Sequence, residues 1–371
     1  LSGSRAQDEK WMRLALDQAK LGEGMTRPNP PVGAVLVKGR RAIGQGFHRK
    51  AGGPHAEVVA IAETGPSARG ATLYVTLEPC STSGRTGPCT EAVAAAGIRR
   101  VVVATNDPNP KHKGGGIRIL KRLGISVTSG VLQDEAADLI EPFRKWTETG
   151  RPHVTLKLAM TLDGRIADAG GASKWITGKG AREDVQRLRR TADAILVGAN
   201  TVRADDPGLL PRPSRGRKPF RVVVAGKGPL RADSRLFQDA AAARTLLACS
   251  PSTATRYQRL LRGSTAEILP CRAGKGGVSM KDLMKKLGEY GLLHVLCEGG
   301  GDLAASLINA DLVDHYVLYY GSSLLGGGGP IAGIGGAGWR MESRPNLSIL
   351  TTEILGDDVR ITAKPVKRKD S

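Results

Sequence analysis

The segment Pro54-His55-Ala56-Glu57, followed by Pro79-Cys80 and then Cys89 nine positions after Cys80, decides how this 371-residue chain is read. Imidazole nitrogen and thiolate sulfur bind zinc well, and a catalytic zinc site takes three protein ligands and leaves the fourth position to water. His55, Cys80 and Cys89 supply such a set. Bound water loses a proton near neutral pH, which yields a nucleophile without a strong base. Glu57, two residues past the histidine, is placed to shuttle that proton without binding metal. Each of these residues follows a predicted strand and opens a predicted helix, where thiolates gain from the positive end of the helix dipole. A lone His-x-Glu pair or an isolated buried cysteine is more often packing. All four residues in this order point to zinc.

Length and composition bound the rest. At 371 residues two domains are the natural expectation, and 40% hydrophobic residues are enough to build two cores. No apolar run approaches the roughly 18 residues that a membrane span needs. Leu1 to Lys10 is polar and has no secretory h-region. Five cysteines, an odd number, fit a reducing cytosol, so a cytoplasmic location is expected. Cys249, Cys271 and Cys297 lack partners at ligand spacing and read as buried thiols. The formal charge of +20 could serve nucleic acid, yet aromatics are only 4% and basic residues cluster only at Arg212–Lys218 and Lys364–Lys369. Phosphorylated small molecules would also favour a positive surface.

Taken in order, an amphipathic helix is expected from Asp8 to Lys20, with Trp11, Leu14 and Ala15 on one face and Asp8 and Glu9 at its positive end. Asn29, set between prolines, is either a turn residue or a polar reader of substrate. Strands are expected at Val32–Val37, Arg41–Phe47, Thr72–Leu77, Arg99–Thr105 and Ile125–Val127. Helices are expected from His55, from Pro88, around Ile117–Leu123, and from Asp134 to Thr147. Such alternation implies a largely parallel sheet with helices on both faces, and ligands gather where its strand ends meet helix starts. The turn at Gly150 reads as the boundary between domains 1–149 and 150–371. The second half restarts with Val154–Leu158 and continues through strands at Ala194–Gly198, Arg221–Ala225, Thr245–Ala248 and His294–Leu296. Glu298-Gly299-Gly300-Gly301-Asp302 then opens a helix to Asn309. That run is either a phosphate cradle of free N–H groups or a tight strand-to-helix turn. Gly326–Gly329 reads as a flexible loop.

The pattern His-x-Glu followed by Pro-Cys-x-x-Cys belongs to zinc nucleobase deaminases, and here the cysteines stand further apart. The wider spacing resembles one family, the bifunctional riboflavin-biosynthesis pyrimidine deaminase/reductases. The likeness is carried by Pro28–Gly33, Gly52–Glu57, Thr76–Cys80, Gly84–Thr86 with Pro88-Cys89, and Asp107–Pro110. It continues in Lys157–Ala159, Leu162–Arg165, Ser173–Gly178, Ala204–Pro207 and Glu298–Gly301. It implies a cytidine-deaminase-like three-layer α/β/α domain followed by a dihydrofolate-reductase-like α/β domain. The first would hydrolyse the 2-amino group of a diaminopyrimidinone carrying a phosphoribosylamino group, with Zn²⁺ on His55, Cys80 and Cys89 and with Glu57 moving protons. The second would use NADPH to reduce the ribosyl group to ribityl.

The same resemblance implies Asn29, His48, Arg85, Asp107 and Asn109 as contacts to the deaminase substrate. For NADPH it implies Ala159, Trp175, Thr201, Asp205 and the glycine loop with its helix (Gly300, Gly301, Asp302, Leu303, Ala304, Ala305 and Ser306). For the reductase substrate it implies Ser173, Arg189, Leu209, Arg212 and Glu298, with Lys157 donating a proton or orienting the opened sugar. A guanidinium fork binds a 5′-phosphate through two parallel hydrogen bonds, which suits Arg189 and Arg212. Arg203 and Lys227 are candidate readers of the cofactor's 2′-phosphate. One departure is Thr82, where the family usually carries histidine, so that phosphate affinity in the first domain is expected to be either reduced or borne by Arg85. The partner expected is a small phosphorylated pyrimidine, without nucleic acid or membrane and compatible with a homo-oligomer. The rival reading, a tRNA-type nucleic-acid deaminase with an accessory domain, leaves Glu298–Gly301 unexplained.

Overall fold

Ser4 caps the first helix, α1 (Arg5–Lys20), its hydroxyl accepting from the Gln7 N–H. This is a computed structural model, and it describes residues 4–82, 87–110, 112, 114–213, 217–226, 228–274 and 277–366. The buried stripe of α1 is Trp11, Met12, Ala15, Leu16 and Ala19, whereas Leu14 is exposed. Asp8, expected to serve the helix dipole, is buried. It takes Arg100 Nη1 and Nη2 at 2.9 and 2.7 Å and the Tyr74 hydroxyl at 2.8 Å.

The sheet beneath α1 has strands β1 (Gly33–Lys38), β2 (Arg41–Phe47), β3 (Thr72–Leu77), β4 (Arg100–Thr105) and β5 (Ser126–Ser129) in the order β2-β1-β3-β4-β5. Only β3, β4 and β5 are mutually parallel. The largely parallel expectation fails at β1, which runs antiparallel to both β2 and β3. The reason is the short Gly39-Arg40 connection, too short for the crossover that a parallel pair requires. Helices α2 (Ala56–Thr64), α3 (Cys89–Ala95) and α4 (Gly115–Arg122) pack one face through Ala60, Val93 and Leu120. On the other face α1 and α5 (Gln133–Leu139) pack through Met12, Leu16 and Ala136. The helix expected from Asp134 to Thr147 is two, because α6 (Glu141–Thr149) starts afresh with Pro142 in its first turn. Proline there has no N–H to continue the preceding helix. Gly150 closes α6 at φ 67°, its N–H bonding Trp146 O at 2.8 Å.

The chain forms two compact units, Leu1–Gly150 and Arg151–Ser371. The second is built on nine strands in the order Glu267–Pro270, Thr245–Cys249, Phe220–Val224, Ala194–Gly198, His294–Cys297, His153–Thr161, His315–Gly321, Asp358–Pro365 and Leu347–Leu355. The first seven are parallel, and the last two form an antiparallel hairpin at the edge. Strand His294–Cys297 inserts between Ala194–Gly198 and His153–Thr161, so the strand order reverses there and a crevice opens at the carboxyl ends. Helices α7 (Lys179–Thr191) and α8 (Ala199–Asp205) flank that crevice.

Two details depart from the sequence reading. The Gly326–Gly329 stretch is tethered rather than loose. Asp163 accepts from Leu325 N and Gly326 N at 3.2 and 2.8 Å, and Arg165 donates to Gly327 O at 3.0 Å. Arg221, expected only as a strand residue, is wholly buried and gives all five N–H groups to Asp239, Thr245 Oγ1, Leu236 O and Gly208 O. Through Gly208 it braces the turn in which Asp206 and Leu209 hold φ of 38° and 54°. Among the described residues no helix is long and apolar enough to cross a membrane. Replacing Arg221 by methionine removes the counter-charge of Asp239 and the donors to Thr245 Oγ1 and Gly208 O, while Leu236 O keeps the Thr245 hydroxyl. Urea unfolding of this unit should then show a loss on the order of 3 kcal/mol.

Candidate functional site

Three strand-to-helix junctions build the first site. His55 is the N-cap of α2, Cys80 follows β3, and Cys89 is the first residue of α3. Their donor atoms all lie within 4.8 Å of one another, with His55 Nδ1 at 3.1 Å from Cys89 Sγ and 3.5 Å from Cys80 Sγ. Donors sharing one tetrahedral zinc at ordinary bond lengths stand roughly 3.5 Å apart, nitrogen to sulfur. The Cys89 N–H also donates to Cys80 Sγ at 3.2 Å. Cys80 is held down to about 4, chiefly by its hydrogen bond with Cys89, and the same pairing together with burial pushes Cys89 up. One thiol therefore releases its proton readily and the other resists beside it. A divalent cation removes that antagonism by offsetting both thiolates. The donor set fits zinc.

Glu57 lies in the first turn of α2 and is only 3% exposed. Burial raises it above the ordinary glutamate range, which suits a group that takes up and returns a proton. His48 was expected to contact substrate, but both its ring nitrogens are engaged within the protein. Nδ1 meets Pro54 O at 3.0 Å and Nε2 meets Asn29 Nδ2 at 3.1 Å, so Nδ1 carries the proton and Nε2 accepts from the amide. His48 acts through Asn29, fixing which way that carboxamide points. Asp107 Oδ1 accepts the Asn109 N–H at 2.8 Å, which sets the turn carrying both. Arg85 lies outside the described residues. Thr82 meets a histidine from another loop, Oγ1 to His112 Nδ1 at 3.2 Å.

In the second unit a cleft of about 1580 Å³ opens at the crevice. A single drug-sized ligand fills roughly 300–1,000 Å³, so this one has room for two bound partners. Lys157, Ala159, Ser173, Trp175, Thr201 and Asp205 line it, as do Arg189, Leu209, Arg212 and Glu298. From the glycine run, Gly300, Gly301, Asp302, Leu303 and Ser306 also line it. Ala304 and Ala305, expected at the cofactor, are instead buried among core residues on the inner side of their helix. The glycine run is a tight strand-to-helix turn with one open position. A Cβ on Gly299 would strike Leu303 at 2.5 Å and one on Gly301 would strike Gly335 N at 2.7 Å, whereas Gly300 is open apart from Thr201 Oγ1 at 3.8 Å. Two glycines serve packing, and the middle one leaves backbone accessible at a helix start.

Arg189 is engaged on one edge: its Nε and Nη2 bond Glu298 Oε1 and Oε2 at 2.6 and 2.9 Å, which orients the guanidinium in the cleft lining with its Nη1 side beyond that pair. Arg212 remains exposed at the rim. Lys157 lies below the ordinary lysine range, chiefly through burial, with Glu298 raising it and Arg189 lowering it further. Arg203 bonds Asn200 Oδ1 and Pro229 O, which makes it a brace for the loop before Leu230. Lys227 lies outside the described residues. Trp175 is 71% exposed at the rim, with the Arg182 guanidinium 4.7 Å from its ring centre.

A metal-binding His-x-Glu and two-cysteine set on one α/β unit, with a switch-point cleft on another, defines a zinc hydrolase joined to a nucleotide-dependent reductase. Residues 5–105 match the cytidine and deoxycytidylate deaminase zinc-binding region, and residues 152–361 match the RibD C-terminal domain. A riboflavin biosynthesis protein RibD from Aquifex aeolicus is 40% identical over 360 residues, covering 96% of this chain and 98% of that protein. A solved structure of Acinetobacter baumannii RibD is 38% identical, with a TM-score of 0.88 over 98% of this chain and 100% of the other. One from Thermotoga maritima, described as a diaminohydroxyphosphoribosylaminopyrimidine deaminase/5-amino-6-(5-phosphoribosylamino)uracil reductase, is 35% identical. It has a TM-score of 0.87 and covers 98% of this chain and 100% of that one. The chain belongs to the RibD family of bifunctional riboflavin-biosynthesis enzymes, with a zinc-dependent deaminase and an NADPH-dependent reductase.

Metal content separates ligand from proton carrier. Cys80→Ser should lose zinc, whereas Glu57→Gln should retain about one zinc per chain by elemental analysis, because Glu57 is not among the converging donors.

Proposed function

We propose that the first unit hydrolyses the 2-amino group of 2,5-diamino-6-(5-phosphoribosylamino)pyrimidin-4-one and that the second reduces the ribosyl chain of the product to ribityl with NADPH. The observation that carries the first half is the convergence of His55, Cys80 and Cys89 beside buried Glu57. Bound there, zinc supplies an activated water. Glu57 takes the proton from that water and passes it to the departing amine, which leaves as ammonia. Asn29, oriented by His48, holds the pyrimidine edge, and Asp107 and Asn109 bound the same pocket.

In the second unit NADPH supplies a hydride. Gly300 and Thr201 would meet the cofactor's phosphates, and Trp175 would close over it at the rim. Lys157 donates the proton needed by the ring oxygen whose bond to the reduced carbon breaks as the sugar opens, and Glu298, oriented by Arg189, faces the opened sugar. Arg212, exposed at the rim, would take the substrate phosphate, with the Nη1 side of Arg189 lining the same cleft. The five cysteines are unpaired, which supports a cytosolic setting.

A two-step assay tests this reading. The diamino substrate should release ammonia without NADPH, and NADPH should be consumed only once the deaminated product is present. Glu57→Gln should lower ammonia release about 10²–10⁴-fold and leave reduction of supplied product intact. Normal deamination by that variant would sink the assignment. Removing the carboxylate that favours the Lys157 ammonium lowers that group further. The alkaline limb of the reductase pH profile should therefore move to lower pH in Glu298→Gln.

A further inference from the structure

Glu78 lies two residues before the metal ligand Cys80 and is 4% exposed, yet no cation pairs with it among the described residues. Its carboxylate is satisfied by backbone instead. Oε2 accepts Gly114 N at 2.9 Å and Asp107 N at 3.3 Å, and Oε1 accepts Ile117 N at 3.2 Å. Gly114 and Ile117 are the N-cap and third residue of α4, whose first-turn N–H groups have no partner within the helix. A side chain from β3's carboxyl end thus caps a helix 36 residues further along the chain.

The two segments are closed on each other by a second device. A Cβ on Gly116 would lie 1.9 Å from Pro79 O, and one on Gly115 would lie 2.8 Å from Ser81 Oγ. Glycine at 115 and 116 therefore lets α4 rest directly on the segment that presents Cys80. Thr82 extends the contact to His112 at 3.2 Å. Between Asp107 and Gly114, both of which Glu78 holds, lies the loop with Asn109 and His112.

We propose that Glu78 is a positioning residue of the deaminase: by holding Asp107 N on one side and the start of α4 on the other, it fixes the Asp107–Asn109 turn, the substrate-facing wall, against the segment that presents Cys80. This rests on the reading above that Asp107 and Asn109 contact substrate. Glutamine keeps the shape but replaces one acceptor oxygen with an amide that opposes the backbone N–H groups. The metal ligands are untouched, so the cost falls on substrate binding rather than on zinc.

The test uses the full chain. Glu78→Gln should retain about one zinc per chain and a normal reductase rate with deaminated product. It should raise the deamination KM at least tenfold while kcat changes less than threefold, and speed amide exchange at Gly114 and Ile117. Gly116→Ala, whose Cβ would lie 1.9 Å from Pro79 O and 3.4 Å from Glu78 Cγ, should push the start of α4 off the Glu78 carboxylate while leaving that carboxylate in the chain, and so reproduce the KM effect by a second route. Loss of zinc in Glu78→Gln, or an unchanged KM in the folded variants, overturns the proposal. Asp107→Ala and Asn109→Ala are measured alongside. A raised KM in those two but not in Glu78→Gln or Gly116→Ala overturns the positioning role alone. An unchanged KM in Asp107→Ala and Asn109→Ala overturns the substrate-wall reading and the positioning role with it.

Discussion

Two thiols, an imidazole and a carboxyl group must share one pocket, and that crowding organises the first unit. Without a metal the two sulfurs share one proton, the Cys89 thiol keeping it and the Cys80 sulfur accepting its hydrogen bond, which displaces the two in opposite directions. The fold meets the constraint by bringing the groups in on separate junctions. α2 contributes His55 and Glu57 from its first turn, β3 delivers Cys80, and α3 opens with Cys89. Backbone N–H groups at those helix starts favour negative charge, and zinc supplies the rest of the balance.

Buried charge elsewhere follows the same economy with different partners. Asp8 answers Arg100 and Tyr74 under α1, Arg221 answers Asp239 and three neutral acceptors, and Glu78 answers backbone alone. A buried ion of this kind is weak evidence for net stability, since desolvation offsets much of the attraction, but it strongly penalises any arrangement that leaves it unpaired. Two of the three pin a segment that borders a site: Arg221 the Asp206–Leu209 turn, and Glu78 the Asp107–Asn109 turn and the start of α4.

The parts legible in the sequence were those whose partners are close in the chain or whose chemistry is rare. His55, Glu57, Cys80 and Cys89 announced a metal site by residue type, and β2 and β3 were bounded correctly by their own pattern. What escaped depends on distant partners. Nothing near Arg189 signals that Glu298, 109 residues away, occupies one edge of it. Nothing near His48 shows that both ring nitrogens are spent. The edge hairpin Leu347–Leu355 with Asp358–Pro365 had no readable alternation, because all but the last residue of its outer strand are exposed. The glycines of 299–301 left two readings open, and only the neighbours of each missing Cβ separate packing from access.

The carboxylate on Arg189 changes how the reductase cleft works. Glu298 divides its influence between a guanidinium that cannot lose its proton and an ammonium that can. With both Glu298 oxygens committed to Arg189, Lys157 has their field but no direct bond from them. Burial and the Arg189 charge then press its proton outward. A group so placed holds its proton loosely, which is what proton donation near neutral pH demands and what an exposed lysine does not offer. Burial thus makes the acid, and the Glu298–Arg189 pair tunes it, the carboxylate holding the proton and the guanidinium offsetting part of that hold.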